Sequence, residues 1–387
     1  MNADAASSVA RSAARPAWAA VRMDCLARNL QNLRRRIGNC RVSAVVKADA
    51  YGHGACEVAR FLESHQVDHF AVAFLDEGMA LRRAGVVGQI LVFAPAGDRE
   101  MPWMKRHALS ATVSSLGQLR VWAEWAAGHD TSQDIHLKLD TGMARLGLSI
   151  AELPTALSIL RASPGLNLVG LFSHLASSDE VDDPRTEDQR QLLELATQAL
   201  TVEERERTEI HLANSGGALH HAATRLDRVR VGLALFGVDP ARGRAGDVGL
   251  EPVLEVKARL VAVRVVPAGT PLGYGGRRVT VRPSRIGVVP VGYADGFAWS
   301  LGDRGSILVG GRRAAVAGAV SMDMTLVDIT ESGGAAGDEV VLLGSQGNAS
   351  ITAWELADLC GTIPWEVLCR FGQRLERRSV VEGEDRS

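Results

Sequence analysis

Lysine is nearly missing from this chain: of its 43 basic residues only Lys47, Lys105, Lys138 and Lys257 carry an amine, and the rest are arginine. Also missing is any run of about 18 apolar residues, which excludes a membrane-spanning helix. The five cysteines (Cys25, Cys40, Cys56, Cys360, Cys369) are odd in number and none forms a CxxC pair, so no disulfide framework is expected. Free thiols suit a reducing, cytoplasmic compartment. His220 and His221 are neighbours without an HExxH motif or a paired carboxylate set, so no metal site is expected either. A net charge of −2 gives no electrostatic steering toward nucleic acid or an acidic membrane. The first sixteen residues, MNADAASSVARSAARP, lack the continuous apolar core of a secretion signal and read as a flexible tail.

What is present is a globular composition, 46% hydrophobic, on a chain of 387 residues, long enough for two full cores. Short β-branched runs alternate with helical stretches over residues 41–237. Strands are expected at 41–48, 69–74, 89–95, 110–115, 134–141, 167–174, 209–214 and 228–237. Between them lie helical patterns such as DPRTEDQRQLLELATQAL, with Asp183 expected as N-cap and Pro184 in the first turn. This β/α alternation predicts a TIM-type (β/α)8 barrel over 17–245, whose functional residues would gather at the C-terminal ends of the strands. Beyond it the texture changes to short apolar runs separated by Gly and Pro turns, with a late helix at TAWELADLCG. That pattern predicts a mostly antiparallel β domain over 246–387.

Against an arginine-rich background, a retained lysine marks a place that needs an amine able to lose its proton and attack a carbonyl. Lys47 follows the apolar run Val42–Val46, where desolvation would favour the neutral amine. By position alone a strand-end lysine whose stem snorkels to water is the commoner reading, and the surrounding motif is what reverses it. Other polar residues fall at the same mouth of the expected barrel: Arg145 after the fifth strand, His174 at the end of the sixth, and Asn214 with Ser215 at the end of the seventh. Ser215-Gly216-Gly217 opening a helix would offer backbone amides to a phosphate.

The run KADAYGHGA, with LKLDTGMARLG, LFSHLASSD, HLANSGGAL, RVRVGLALFG, PLGYGG, VGYADG and SMDM, closely resembles the alanine racemases, over roughly residues 17–380. By that resemblance Lys47 holds pyridoxal 5'-phosphate and Tyr51 contacts its phosphate, with Ser215 and the backbone around Gly232 and Leu233. Asn214 and His174 line the cofactor, His174 against its ring, and Arg145 reaches the phenolic oxygen and the substrate carboxylate. Arg230 faces the pyridine nitrogen, with His211 as its partner. A guanidinium, with a pKa above about 12, does not share its proton, so the ring is a weak electron sink and simple proton exchange is favoured over transamination.

The same resemblance assigns Tyr274 as the second acid/base, Tyr293 to the substrate entrance, and Met322 with Asp323 to the substrate carboxylate. All four would come from the second chain of a homodimer. Racemisation of alanine needs two bases on opposite faces of Cα, here Lys47 for the D side and Tyr274 for the L side. Lys138, expected mid-strand, stands where many members carry a carbamylated lysine, whose anion would hold Arg145; outward-facing between helices is the other reading. The match is incomplete. Trp365 replaces a frequent tyrosine near the phosphate, Trp299 and Ala319 replace two arginines at the entrance, and Ser321 replaces a cysteine. The implied role is D-alanine supply for peptidoglycan or alanine catabolism. Alternatives are a broader amino-acid racemase acting also on serine, a related barrel decarboxylase (for which no EPGR-like phosphate motif is present), or a pyridoxal phosphate binder without turnover, which would have no use for Tyr274.

Overall fold

A computed structural model describes residues 15–244 and 246–381. The chain divides into two compact units, one of residues 25–251 and one combining residues up to 24 with 252 onward.

The first unit is a closed barrel of eight parallel strands: β2 (Arg41–Val45), β3 (His69–Val72), β4 (Gln89–Pro95), β5 (Ser110–Val113), β6 (Gln133–Lys138), β7 (Leu166–Phe172), β8 (Glu209–His211) and β9 (Arg228–Val231). β9 closes on β2 in register, Val42 opposite Val229 and Ala44 opposite Val231. Strands covered on both faces are buried along their whole length, as β3, β5 and β9 are, so the polar residues they carry, among them His69, Thr112 and Arg228, need partners inside. At the N-terminal end, buried Arg228 pairs through Nε with Glu209 at 2.6 Å and donates through Nη1 to the carbonyl of Val42 at 3.0 Å. That pairing compensates a charge otherwise too costly to bury.

All eight expected strands are present, but the ladder stops before their apolar runs do. Val46, Leu139 and Ala213 continue the buried runs with single backbone bonds to Ala71, Phe172 and Arg230. Lys47, His174 and Asn214 therefore lie in the loops just past the strands, and Lys138 closes β6 instead of sitting mid-strand. The helix after Pro184 runs Arg185–Thr197, one residue later than expected. Asp183 still accepts from the Arg185 amide at 2.9 Å.

The second unit carries a ten-stranded sheet. Its strands are β1 (Ala17–Arg22), β10 (Leu254–Arg259), β11 (Ala262–Val266), β14 (Ser284–Val289), β15 (Ser306–Val309), β16 (Arg312–Val316), β17 (Thr325–Asp328), β18 (Glu339–Gln346), β19 (Ala349–Ile351) and β20 (Glu376–Val380). The remaining strands, β12 (Pro271–Leu272) and β13 (Arg278–Val279), form a small hairpin. The pairing is antiparallel except for β1 with β20. This corrects the expected boundary: residues 17–22 belong to the β unit, because β1 lies between β10 and β20 and not in the barrel. The expected tail falls, up to residue 14, outside the described residues. The late helix spans Ala353–Cys360, capped by Thr352, whose hydroxyl accepts from the Glu355 amide at 3.1 Å; a second helix, Pro364–Arg370, follows it. No helix among the described residues is long and apolar enough to cross a membrane.

Candidate active site

Lys47 begins a turn of unusual hand. Ala48, Asp49, Ala50 and Tyr51 all adopt φ between 52 and 54°, the left-handed helical region, with no glycine among them. Each such residue costs about 1–2 kcal/mol, so surrounding contacts must hold the turn. They do. Glu77 accepts from the Ala48 amide at 2.6 Å and from the Ala73 amide at 2.7 Å, and Asp49 accepts from the Ala55 amide at 2.8 Å. The left-handed path leaves Lys47 half-buried, not fully desolvated, and carries Tyr51 into the core.

There Tyr51 meets the loop after β9. Its ring packs on Phe236 at 5.3 Å, and His53 stacks on the same ring at 4.2 Å. A Cβ on Gly232 would lie 2.6 Å from the Tyr51 hydroxyl, so only glycine fits. Ser215 Oγ accepts from the amides of Gly232 and Ala234, both at 3.2 Å, and Leu233 between them is buried. Asn214 caps the following turn, accepting from the Gly217 amide at 3.0 Å and from Ser178 at 2.7 Å. The hydroxyls of Tyr51 and Ser215 thus both lie at the Gly232 loop, and Ser215 Oγ, which accepts from two amides there, carries a proton suited to a phosphate oxygen.

Arg230 lies in the barrel interior beside this cluster. Nη1 donates to His211 Nδ1 at 2.8 Å and to the His211 carbonyl at 3.0 Å. Nη2 donates to the carbonyls of Ser173 and Leu212 at 2.7 and 3.1 Å, and lies 3.2 Å from His174 Nδ1. Among the described residues Nε takes no acceptor. Burial pushes the guanidinium down to about 9, which still leaves it charged and a pure donor at neutral pH. His174 is held well below the usual imidazole range, by burial first and then by Arg230, Arg145, Lys138 and Lys47 in that order. A neutral His174 therefore accepts at Nδ1. Its carbonyl, with Thr141 Oγ1, is bonded by the Gln189 amide at 2.9 and 3.2 Å, which ties the loops after β6 and β7 to the Arg185–Thr197 helix.

Lys138 is buried, not turned out between helices. Its Nζ donates to the Leu146 carbonyl at 2.8 Å and lies 5.9 Å from the Phe172 ring centre. Burial first, and Arg145 second, push its amine down to about 8. Arg145 itself is exposed in a loop organised by Asp140, whose carboxylate accepts from the amides of Gly142, Met143 and Ala144.

In the β unit, Tyr274 follows β12 on the hairpin whose Leu272 packs with Ile286 and Ala317. Tyr274, Tyr293 and Met322 are exposed at 75%, 43% and 53%. The loops bearing Tyr293 and Met322 are joined by backbone bonds from Tyr293 to Ser321 and from Ala294 to Met322. Asp323 is fixed by Arg374 at 2.6 Å. Trp299 lines a cavity of about 400 Å³ with Tyr293 and Arg370, and the Arg277 guanidinium lies 4.7 Å over its ring. A cation is therefore present on the face of the indole that replaces an arginine. Ala319 is buried, and Trp365 packs edge-on against Trp354 at 6.4 Å. The chain's three tyrosines are Tyr51, Tyr274 and Tyr293, so none is spent elsewhere. Sequence reasoning missed Glu77, Gln189, Thr141 and Ser178, whose roles rest on contacts across the fold; only the Asp76-Glu77 pair opening a helix offered a signal.

Family models of the alanine racemase N-terminal and C-terminal domains match residues 21–240 and 253–379. Among similar proteins, an alanine racemase of Sorangium cellulosum is 40% identical over 94% of this chain and 98% of its own length. The biosynthetic alanine racemase of Pseudomonas aeruginosa superposes with a TM-score of 0.85 at 36% identity, covering 95% of this chain and 99% of that one. A Bartonella henselae alanine racemase with covalently bound pyridoxal phosphate gives 0.85 at 26% identity, covering 94% and 99%.

Proposed function

This chain belongs to the alanine racemase family, and from that premise we propose that it interconverts L- and D-alanine with pyridoxal 5'-phosphate through two bases, Lys47 and the Tyr274 of a second copy. The observation that carries the cofactor assignment is the convergence of Tyr51, Ser215 and the Gly232 backbone on one spot, with donor-only Arg230 beside it. This donor set fits a phosphorylated pyridine: the hydroxyls of Tyr51 and Ser215 for the phosphate, and the Nε–H of Arg230 for the ring nitrogen. When bound, that group supplies the electron-withdrawing ring that makes the α-hydrogen of an attached amino acid acidic.

The residues of the chain do the rest. Lys47 holds the cofactor and moves the proton on the D face. Tyr274 moves it on the L face, each base returning what the other removes. Arg230 donates without surrendering its proton, so negative charge on the ring stays limited. Arg145, Met322 and Asp323 bind the carboxylate, and Lys138, carbamylated, anchors Arg145. Asn214, Leu233 and His174 complete the cofactor's walls. The large exposure of Tyr274, Tyr293 and Met322 supports a homodimer in which they face the partner's barrel. The protein would act in the cytoplasm, supplying D-alanine for peptidoglycan or feeding alanine catabolism.

Trp299 and Ala319 at the substrate entrance favour one second reading, a broader racemase that also accepts serine. A chiral product assay over a panel of amino acids, run with the visible absorbance of the protein, tests both. Alanine alone turned over supports the narrow reading and serine at a comparable rate the broad one. A yellow protein that racemises nothing overturns both.

A further inference from the structure

A directed chain of imidazoles runs from Arg230 into the barrel. Arg230 Nη1 can only donate, so His211 Nδ1, 2.8 Å away, must accept. A neutral ring with a bare Nδ1 carries its proton on Nε2. His211 Nε2 lies 3.0 Å from His136 Nδ1, which must accept in turn and hold its own proton on Nε2. No link can be reversed without setting one N–H against another. Both rings are held neutral, His136 at about 3, by burial before any charge, with Arg228 and Arg230 adding for His136 and Arg230 next for His211.

The backbone is shaped around the same contact. The register between β6 and β7 slips beside His136: Ile135 pairs with Leu168 but His136 with Gly170, a bulge that passes over Val169. A Cβ on Gly170 would fall 2.0 Å from His136 Nδ1, so no other residue admits the ring in this pose. Phe172 stacks on His211 at 4.8 Å and 4°, which fixes the plane of that imidazole but not its tautomer. The third interior ring, His69, bonds Ser43 Oγ at 2.7 Å and stands edge-on 6.0 Å from His136, outside the chain.

We propose that His136 is a positioning residue of the reaction: by accepting from His211 Nε2 it locks His211 as the acceptor that orients Arg230. This rests on the reading that Arg230 faces the cofactor ring. With His136 gone, the Nε2 proton of His211 is buried without an acceptor, so the tautomer that Arg230 requires loses its support and competes with the one that protonates Nδ1, sets two donors face to face and turns the guanidinium out of its plane.

Asparagine and leucine at this position have the same shape, and only asparagine offers an acceptor where Nδ1 stood. In the full holoenzyme labelled with 15N-histidine, wild type and His136→Asn should show His211 with bare Nδ1. His136→Leu should show mixed tautomers, with kcat down about tenfold, the scale on which outer partners of a site act, and little change in KM for alanine. If His136→Leu does not fold, His136→Gln replaces it, its amide displaced by one methylene. An unchanged tautomer in the leucine variant, an asparagine variant that behaves like leucine, or a tautomer shift without loss of kcat would each overturn the proposal. A purely structural role would lower the melting temperature and leave the tautomer alone. Because the nitrogen shifts are read without turnover, a wild type that racemises nothing would condemn the functional reading and leave the imidazole chain separately tested.

Discussion

The hydroxyl of Tyr51 occupies the place where a side chain on Gly232 would be: a Cβ there falls 2.6 Å from Tyr51 Oη. The proposed phosphate end of the site is thus made by one glycine and one left-handed turn meeting. Gly232→Ala should push Tyr51 aside at a cost of about 1–3 kcal/mol and weaken pyridoxal phosphate binding about tenfold. A titration of the apoprotein followed by absorbance measures it; unchanged affinity would mean that Tyr51 does not touch the phosphate.

Borohydride reduction of the holoenzyme should fix the pyridoxyl group on Lys47. Peptide mapping decides the matter, and a label on Lys105 or Lys257 would remove Lys47 from its role.

Tyr274→Phe should retain the cofactor while racemisation falls by about 100-fold or more, the usual scale for a lost acid/base. Near-normal rates in both directions would exclude Tyr274 from the mechanism.

How much of this was legible in the sequence can be read from two contrasts. The eight barrel strands followed from apolar runs whose meaning is local, whereas the placement of residues 17–22 depended on pairing with β10 and β20, far away in the chain. Likewise Lys47 and Tyr51 stood out by motif. The left-handed turn between them did not, because Ala and Tyr carry no local preference for positive φ and the turn is held by contacts such as that of Glu77, distant in the chain. His136 showed no sign at all, since its partner is His211 and its space is made by Gly170.

If one site combines Lys47 and Tyr274 from different chains, Lys47→Ala and Tyr274→Phe should each be inactive, yet the mixed dimer should regain one intact site. Activity per heterodimer should then approach half that of wild type. The doubly tagged species, purified and loaded with cofactor, tests this in L- to D-alanine conversion; no recovery would mean that each chain completes its own site.

The Lys138 amine, pushed down to about 8 from its ordinary 10.5, gives a pH signature. Below about pH 8 folded and unfolded chains both hold the proton, and the cost of the buried charge is fully present. Between those values the unfolded chain binds more protons, so stability rises with pH through that window. Lys138→Met should flatten this rise in urea titrations in carbon-dioxide-free buffer. If the amine takes up carbon dioxide, forming an N–C bond and releasing a proton, wild-type activity should fall in such buffer and return with bicarbonate, while the variant ignores both. Wild-type activity indifferent to carbon dioxide would rule out carbamylation.

β1, the first strand among the described residues, is hydrogen-bonded on one side to β10 and on the other to β20, the last of them. The whole barrel is therefore spelled out between two strands that must end as neighbours. During synthesis residues 25–251 emerge before β20, so the barrel can fold as a unit while β1 still lacks one of its two neighbours. β20 has no neighbour other than β1 in the described sheet, so loss of β1 would release β20 as well, and the two strands act as a single clasp.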